Sequence, residues 1–163
     1  MSELPDDARA VVVTASNRAS AGVYEDRSGQ FLVDGLAVLG FGVEGPHVRP
    51  DDVHALVEVL REAVASGADV VLTTGGTGIS PTDVTPEATR AVLEREAPGI
   101  AEAIRRHGAV HVATSVLSRG LAGTAGRTLI VNLPGSTGGV ADGMAVLGPL
   151  LPHIVHQLRG GDH

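Results

Sequence analysis

The stretch LTTGGTGISPTDVTPEATRAVL, Leu72–Leu93, holds three glycines, a lone aspartate and a Thr-Pro helix start. Gly75, Gly76 and Gly78 permit positive φ and close backbone approach. Successive backbone N–H groups in such a turn form a nest for phosphate or another anion. Asp83 ends the loop, and Asp51 lies in a second segment, RPDD (Arg49–Asp52). Two carboxylates beside a phosphate-sized nest suit Mg2+–polyphosphate chemistry, because magnesium takes one or two carboxylates plus phosphate oxygens. Asp83 and Asp51 are thus candidate Mg2+ ligands. Arg18, Arg27, Arg119 and Arg127 fall in predicted loops and are candidates for the complementary positive charge. Each residue also has a purely structural reading. The glycines suit a tight strand-to-helix turn, Asp83 suits a turn that bonds its own backbone, and Asp51 or Asp52 suits a helix N-cap.

NLPGS (Asn132–Ser136) repeats the pattern. Pro134 and Gly135 shape a turn, Asn132 and Ser136 offer polar atoms, and Ser136 equally suits the cap of the last helix. His153 and His156 are three apart on a predicted helix, but with no further ligand nearby they read as an exposed helical face.

The elements that must position these residues alternate. AVVVTAS (Ala10–Ser16) is a β-branched apolar run, hence a buried strand. Phe31, Leu32, Leu36 and Leu39 recur at helical spacing, and Gly40 stops that helix. FGVEGPHV (Phe41–Val48) is a second strand, weakened by Gly42, Gly45 and Pro46. Val53, Leu56, Val57, Leu60 and Val64 form one helical stripe ending at Gly67. ADVVLTT (Ala68–Thr74) is a third strand, feeding the glycine loop. Thr85 as N-cap, Pro86 at N1 and Glu87 in the first turn start a helix running to about Glu96. Pro98-Gly99 break it before a helix over Gly99–Gly108. A loop over Ser115–Arg127 precedes the fourth strand, TLIVNLPGS. The remainder, Gly138–Arg159, reads as mostly helical, with Pro149 and Pro152 kinking or restarting it.

Strands alternating with helices imply an α/β domain, residues 1–163, with a mainly parallel sheet covered on both faces. Ligands bind beyond the carboxyl ends of the strands in such sheets. That selects SNRAS (Ser16–Ser20), RPDD, GGTGISPTD (Gly75–Asp83) and NLPGS, which should share one edge although they are far apart in sequence.

Composition excludes several chemistries. All twelve Lys+Arg residues are arginine, so a Walker-type phosphate loop, a Schiff base and a lysine nucleophile are ruled out. There is no cysteine, so no disulfide, thiolate nucleophile or zinc ribbon. A net charge of −7 with only two Phe and one Tyr argues against nucleic-acid binding. The acidic, polar start and the lack of a long apolar run point to a cytoplasmic protein with no membrane partner.

TTGGTG (Thr73–Gly78), TDVTPEAT (Thr82–Thr89) and NLPGS resemble the Mog/MoaB family of molybdenum-cofactor biosynthesis proteins, to which the gephyrin N-terminal domain belongs. NRASAGVYEDRSG (Asn17–Gly29), PDD (Pro50–Asp52) and SVLSRGLAG (Ser115–Gly123) also look like family segments, in family order over nearly the whole chain. The resemblance implies a three-layer α/β/α sandwich, usually a homotrimer. It also implies a molybdopterin adenylyltransferase. In that reaction the terminal phosphate of molybdopterin attacks the α-phosphorus of Mg2+–ATP, releasing pyrophosphate, and a downstream molybdenum-insertion protein uses the product. Two family aspartates important for activity align with Asp51 and Asp83, the candidate catalytic residues. Gly75, Gly76, Thr77 and Gly78, with Ser118, Asn132, Pro134, Gly135 and Ser136, match segments lining the pterin and nucleotide pocket. Asn17 stands where many relatives carry aspartate, and Thr137 replaces a common proline. A MoaB-type molybdopterin carrier without catalysis is the alternative, and a competence-damage-type nucleotide pyrophosphatase domain is a second.

Overall fold

The computed structural model describes residues 3–163. Its centre is a six-stranded sheet: β1 (Arg9–Ala15), β2 (Gly42–Arg49), β3 (Val70–Thr74), β4 (Arg95–Glu96), β5 (Ala122–Ala125) and β6 (Thr128–Leu133), in the order β2-β1-β3-β6-β5-β4. β2, β1, β3 and β6 run parallel, while β5 pairs antiparallel with β6 and with β4. Around the sheet lie α1 (Asn17–Ser20), α2 (Arg27–Leu39), α3 (Val53–Ala65), α4 (Thr85–Val92), α5 (Pro98–Ala109), α6 (Thr137–Leu147) and α7 (Leu151–Leu158), with a 3₁₀ turn at Ala113–Leu117.

The strand period of two sorts the core into two layers. Ala10, Val12, Val70, Leu72, Leu129 and Val131 face one side and pack with Leu32 and Leu36 of α2, Ile104 of α5, Val140 and Leu147 of α6, and Val155 of α7. Val11, Val13, Val71 and Ile130 face the other and pack with Leu56, Val59 and Leu60 of α3 and Ala88 of α4. Apart from the exposed Arg9, every residue of β1, β3 and β6 is buried, which is why those strands read as unbroken apolar runs. Three layers result, as the resemblance implies.

The two short antiparallel strands are additions to the four expected. The helix expected to reach Glu96 stops at Val92, because Leu93 is extended and the Glu94 amide donates to the Thr124 carbonyl at 2.9 Å. β5 is the small-residue sequence AGTA, and a side chain at Gly123 would collide with the Arg95 carbonyl. Close backbone approach, not an apolar pattern, builds this edge. The C-terminal stretch does restart at its prolines, as α6 and α7 bent by 62°. The burial stripe of α3 is centred on Leu56, Val59, Leu60 and Ala63, so Val53 is exposed. In α2, Leu32 and Leu36 are buried while Phe31 and Leu39 stay partly exposed. Among the described residues, no single helix is long and apolar enough to cross a membrane.

Candidate functional site

Because β1, β2, β3 and β6 are parallel, their carboxyl ends emerge together at Ala15, Arg49, Thr74 and Leu133. The four segments selected from the sequence therefore do share an edge. The Ser16 amide donates to the Arg49 carbonyl at 2.9 Å, and the Gly75 amide donates to the Leu133 carbonyl at 3.1 Å, lacing neighbouring loops together.

The glycine loop needs its glycines. Gly75 and Gly76 have φ of +91° and +68°, a region costly for other residues. A side chain at Gly75 would also strike the Ala15 carbonyl. Thr85 is not the N-cap; it is the first residue of α4, and Val84 precedes it without a side-chain cap. The Thr85 hydroxyl instead donates to the Gly75 carbonyl at 2.9 Å, and its amide donates to the Gly76 carbonyl at 3.1 Å. The helix start is thereby tied to the loop.

Asp52, not Asp51, caps α3, accepting from the Ala55 amide at 2.9 Å. Asp51 is left for another task. Its Oδ2 accepts from the Asn17 amide at 3.3 Å, while Oδ1 is buried without a hydrogen-bond partner. A Cβ on Gly76 would stand 3.1 Å from that oxygen, so Asp51 sits directly behind the glycine turn. Burial pushes its carboxyl above the ordinary value, the Asn17 amide pulls part of that back, and the charge of Asp83 adds a further push. Asp83 accepts from the Ser80 amide at 3.1 Å, and the Asp83 amide returns a bond to the Ser80 carbonyl at 2.9 Å. The turn reading of Asp83 is thus realised alongside its place in the site.

A cavity of about 730 Å³ opens at this edge. Gly76, Thr77, Gly78, Asp83, Ser118 and the turn Pro134–Ser136 all line it. Three other candidates do not. Asp51 lies behind Gly76, and Gly75 faces a separate small cleft of about 90 Å³. Asn132 is buried, and its amide is spent inside the fold: Nδ2 donates to the Thr73 and Thr89 hydroxyls at 3.0 and 2.9 Å, and Oδ1 accepts from the Leu121 amide at 3.1 Å. Ser136 caps α6, its hydroxyl accepting from the Gly139 amide at 3.0 Å. The cavity therefore faces the N-terminus of an eleven-residue helix, where anions are favoured.

Of the four arginines expected in loops, Arg18 lies in α1 and Arg27 opens α2. None of Arg18, Arg27, Arg119 and Arg127 lines the cavity. Arg127 follows Gly126 in the β5–β6 turn, at the opposite end of β6. Arg27 pairs with Glu25 at the surface. Arg119 lies beside the site, but its guanidinium is committed to protein groups. The glycine turn Gly76–Gly78 and the start of α6 line it instead.

Other cavity residues went unread in the sequence. His111 and Val112 lie between α5 and the 3₁₀ turn, Ser115 and Leu117 lie in that turn, and Asp142 comes from α6. Asp142 lies 3.5 Å from His107 Nε2. Its spacing of three from Gly139 puts both on one helix face, a signal that is usable only once α6 is seen to line the cavity.

Among the described residues no group of three or more His, Asp or Glu side chains is arranged to hold a metal. Two carboxylates stand at the glycine turn, Asp83 in the cavity and Asp51 behind Gly76 with a buried, unpartnered oxygen. That fits magnesium completed by phosphate oxygens and does not fit an all-protein cage.

The sequence pattern of the family described as "Probable molybdopterin binding domain" matches residues 11–153. The chain belongs to the Mog/MoaB family of molybdenum-cofactor biosynthesis. This Mog/MoaB chain is 36% identical over 152 residues to a protein named molybdopterin adenylyltransferase from Helicobacter pylori, covering 91% of this chain and 86% of that one. The crystallographic Mog protein from Mycobacterium ulcerans superposes with a TM-score of 0.89 at 49% identity, over 93% of this chain and 99% of that one. A molybdenum cofactor biosynthesis bifunctional protein from Synechococcus elongatus is 36% identical over 94% of this chain. The chain spans about half the length of that relative, 48%.

Proposed function

We propose that this Mog/MoaB chain is a molybdopterin adenylyltransferase, joining the terminal phosphate of molybdopterin to the α-phosphorus of Mg2+–ATP with release of pyrophosphate. The observation that carries this reading is Asp51 Oδ1, buried and unpartnered directly behind the glycine turn of the cavity that Asp83 lines. A carboxylate oxygen left without a partner costs free energy, and a divalent cation removes that cost. Asp51 and Asp83 would hold Mg2+, which supplies charge neutralisation at the phosphates. The amides of Gly76–Gly78 and the start of α6 bind phosphate oxygens, supplying positive potential that no free lysine or arginine provides. Asp142, which also lines the cavity, is an acceptor suited to the amino-pyrimidinone edge of a pterin. Transfer between two phosphates requires positioning and charge stabilisation rather than a covalent nucleophile, so the lack of cysteine and lysine is no obstacle. A homotrimer, a cytoplasmic location and delivery to a downstream molybdenum-insertion protein belong to the same proposal and rest on the family resemblance.

The deciding experiment is turnover with purified protein, molybdopterin and Mg2+–ATP, with adenylylated molybdopterin quantified chromatographically. Product that requires magnesium and is lost in Asp83→Asn supports the enzyme. Tight molybdopterin binding with no product makes the chain a carrier, the second reading, in which the Ser80–Asp83 turn is all that Asp83 serves.

A further inference from the structure

We propose that Arg119 is a positioning residue, a clamp that holds the glycine loop and Asp83 in the geometry the cation and phosphates require. The proposal rests on the function assigned above to that cavity.

An arginine carries five N–H donors in a rigid plane, and Arg119 commits four hydrogen bonds to the loop and to α4. Nε donates to the Gly78 carbonyl at 2.8 Å and Nη2 to the Asp83 carbonyl at 2.9 Å. Nη1 and Nη2 together grip the Glu87 carboxylate at 2.7 and 3.2 Å. The Arg119 amide adds a bond to the Thr77 carbonyl at 2.8 Å. Three carbonyls of one loop, at residues 77, 78 and 83, are therefore held from a single residue across the cavity rim. A Cβ on Gly78 would stand 2.7 Å from Asp83 Oδ2, so fixing the Gly78 carbonyl also fixes the backbone against which the Asp83 carboxylate rests.

The clamp is itself anchored. Arg105 of α5 donates to the Ser118 and Gly120 carbonyls at 3.3 and 3.0 Å, on either side of Arg119. The Ser118 hydroxyl accepts from the Gly120 amide at 3.2 Å. Glu87, in the first turn of α4, lies where a carboxylate is stabilised by the helix start, and the Arg119 guanidinium holds its carboxyl below the usual range. With the guanidinium turned to backbone and Glu87, Arg119 acts through Asp83 and not on a phosphate.

Lysine tests this. Arg119→Lys keeps the charge and the Glu87 pair, but one ammonium cannot reach the Gly78 and Asp83 carbonyls while holding Glu87. Amide hydrogen exchange reads the loop directly, because the Asp83 amide bonds the Ser80 carbonyl and the Thr85 amide bonds the Gly76 carbonyl. In Arg119→Lys these two amides are expected to exchange about tenfold faster or more, while Val70–Leu72 of β3 keep wild-type protection. The same variant should lose roughly 10- to 100-fold in kcat, need more Mg2+ for half-activation, and keep its KM for molybdopterin within about twofold. Binding of Mn2+ with a non-hydrolysable ATP analogue, followed by electron paramagnetic resonance, should weaken in parallel.

Wild-type loop exchange, or faster loop exchange with unchanged kcat and Mn2+ affinity, would overturn the proposal. So would a uniform rise in exchange that includes β3, which marks a general stability role. Should the wild type make no product, the proposed function fails, while loop exchange and Mn2+ binding still decide the clamp.

Discussion

Asn17 and Asp51 bind each other reciprocally across the ends of β1 and β2. The Asp51 amide donates to Asn17 Oδ1 at 2.8 Å, and the Asn17 amide donates to Asp51 Oδ2 at 3.3 Å. The Asn17 side chain is thus an acceptor for backbone, a task aspartate performs equally. Asn17→Asp should retain turnover within about threefold, whereas Asn17→Ala, which leaves the Asp51 amide without its acceptor, should cost roughly 5- to 10-fold, the scale of one hydrogen bond. Steady-state kinetics of both variants beside wild type check this.

The pH behaviour of Asp51 follows from its surroundings. Its carboxyl is raised chiefly by burial, with the Asn17 amide opposing and the Asp83 charge adding. A carboxyl raised in the fold favours folding while protonated, below its unfolded value, and that contribution is lost as pH rises through the raised folded value. Asp51→Asn, neutral throughout, should therefore melt with wild type near pH 3 and above it at pH 7. Activity should be lost in the same variant. A melting difference independent of pH would contradict the burial of an unpartnered charge.

How much of this was legible depended on range. β1, β3 and β6 are buried on both faces, so their apolar runs were visible locally, and parallel order then placed Asp51, the glycine loop and NLPGS at one edge. β5 was invisible because AGTA pairs through small size. The four arginines expected in loops have no local feature that separates them. What separates Arg119 is its set of partners, 41, 36 and 32 positions away at Gly78, Asp83 and Glu87, and no local pattern encodes that. Thr85 was misassigned as a cap for a related reason: its hydroxyl is taken by Gly75, ten residues upstream.

Gly78 gives a way to move Asp83 without changing its charge. Its φ lies outside the left-handed region, so alanine is tolerated by the backbone, but the new Cβ would fall 2.7 Å from Asp83 Oδ2. The carboxylate must shift, and misplacement of about 1 Å at a reacting centre costs on the order of 100-fold. Gly78→Ala should approach Asp83→Asn in lost kcat while its melting temperature stays near wild type. Full activity would show that the position of this oxygen is not required.

Remote from the site, Arg159 joins the two ends of the chain. Its Nε and Nη2 grip Asp69 Oδ1 and Oδ2, both at 2.9 Å, and Nη1 reaches Asp7 at 2.8 Å. Asp69 also accepts from the Arg9 amide at 2.9 Å, at the start of β1. Its side chain is only 9% exposed, so removing the guanidinium strands a nearly buried carboxylate. Arg159→Leu keeps much of the apolar stem and isolates the lost pairing. It should cost about 2 kcal/mol, a fall of roughly 4–8 °C. Asp69→Asn in the same background should recover part of that loss, because the stranded charge is then gone, and a double-mutant cycle measures the coupling. The site lies at the other edge of the sheet, so kcat below the melting range should be unchanged. Thermal melts paired with turnover would separate this clasp from the arginine at position 119, whose loss is expected to do the reverse.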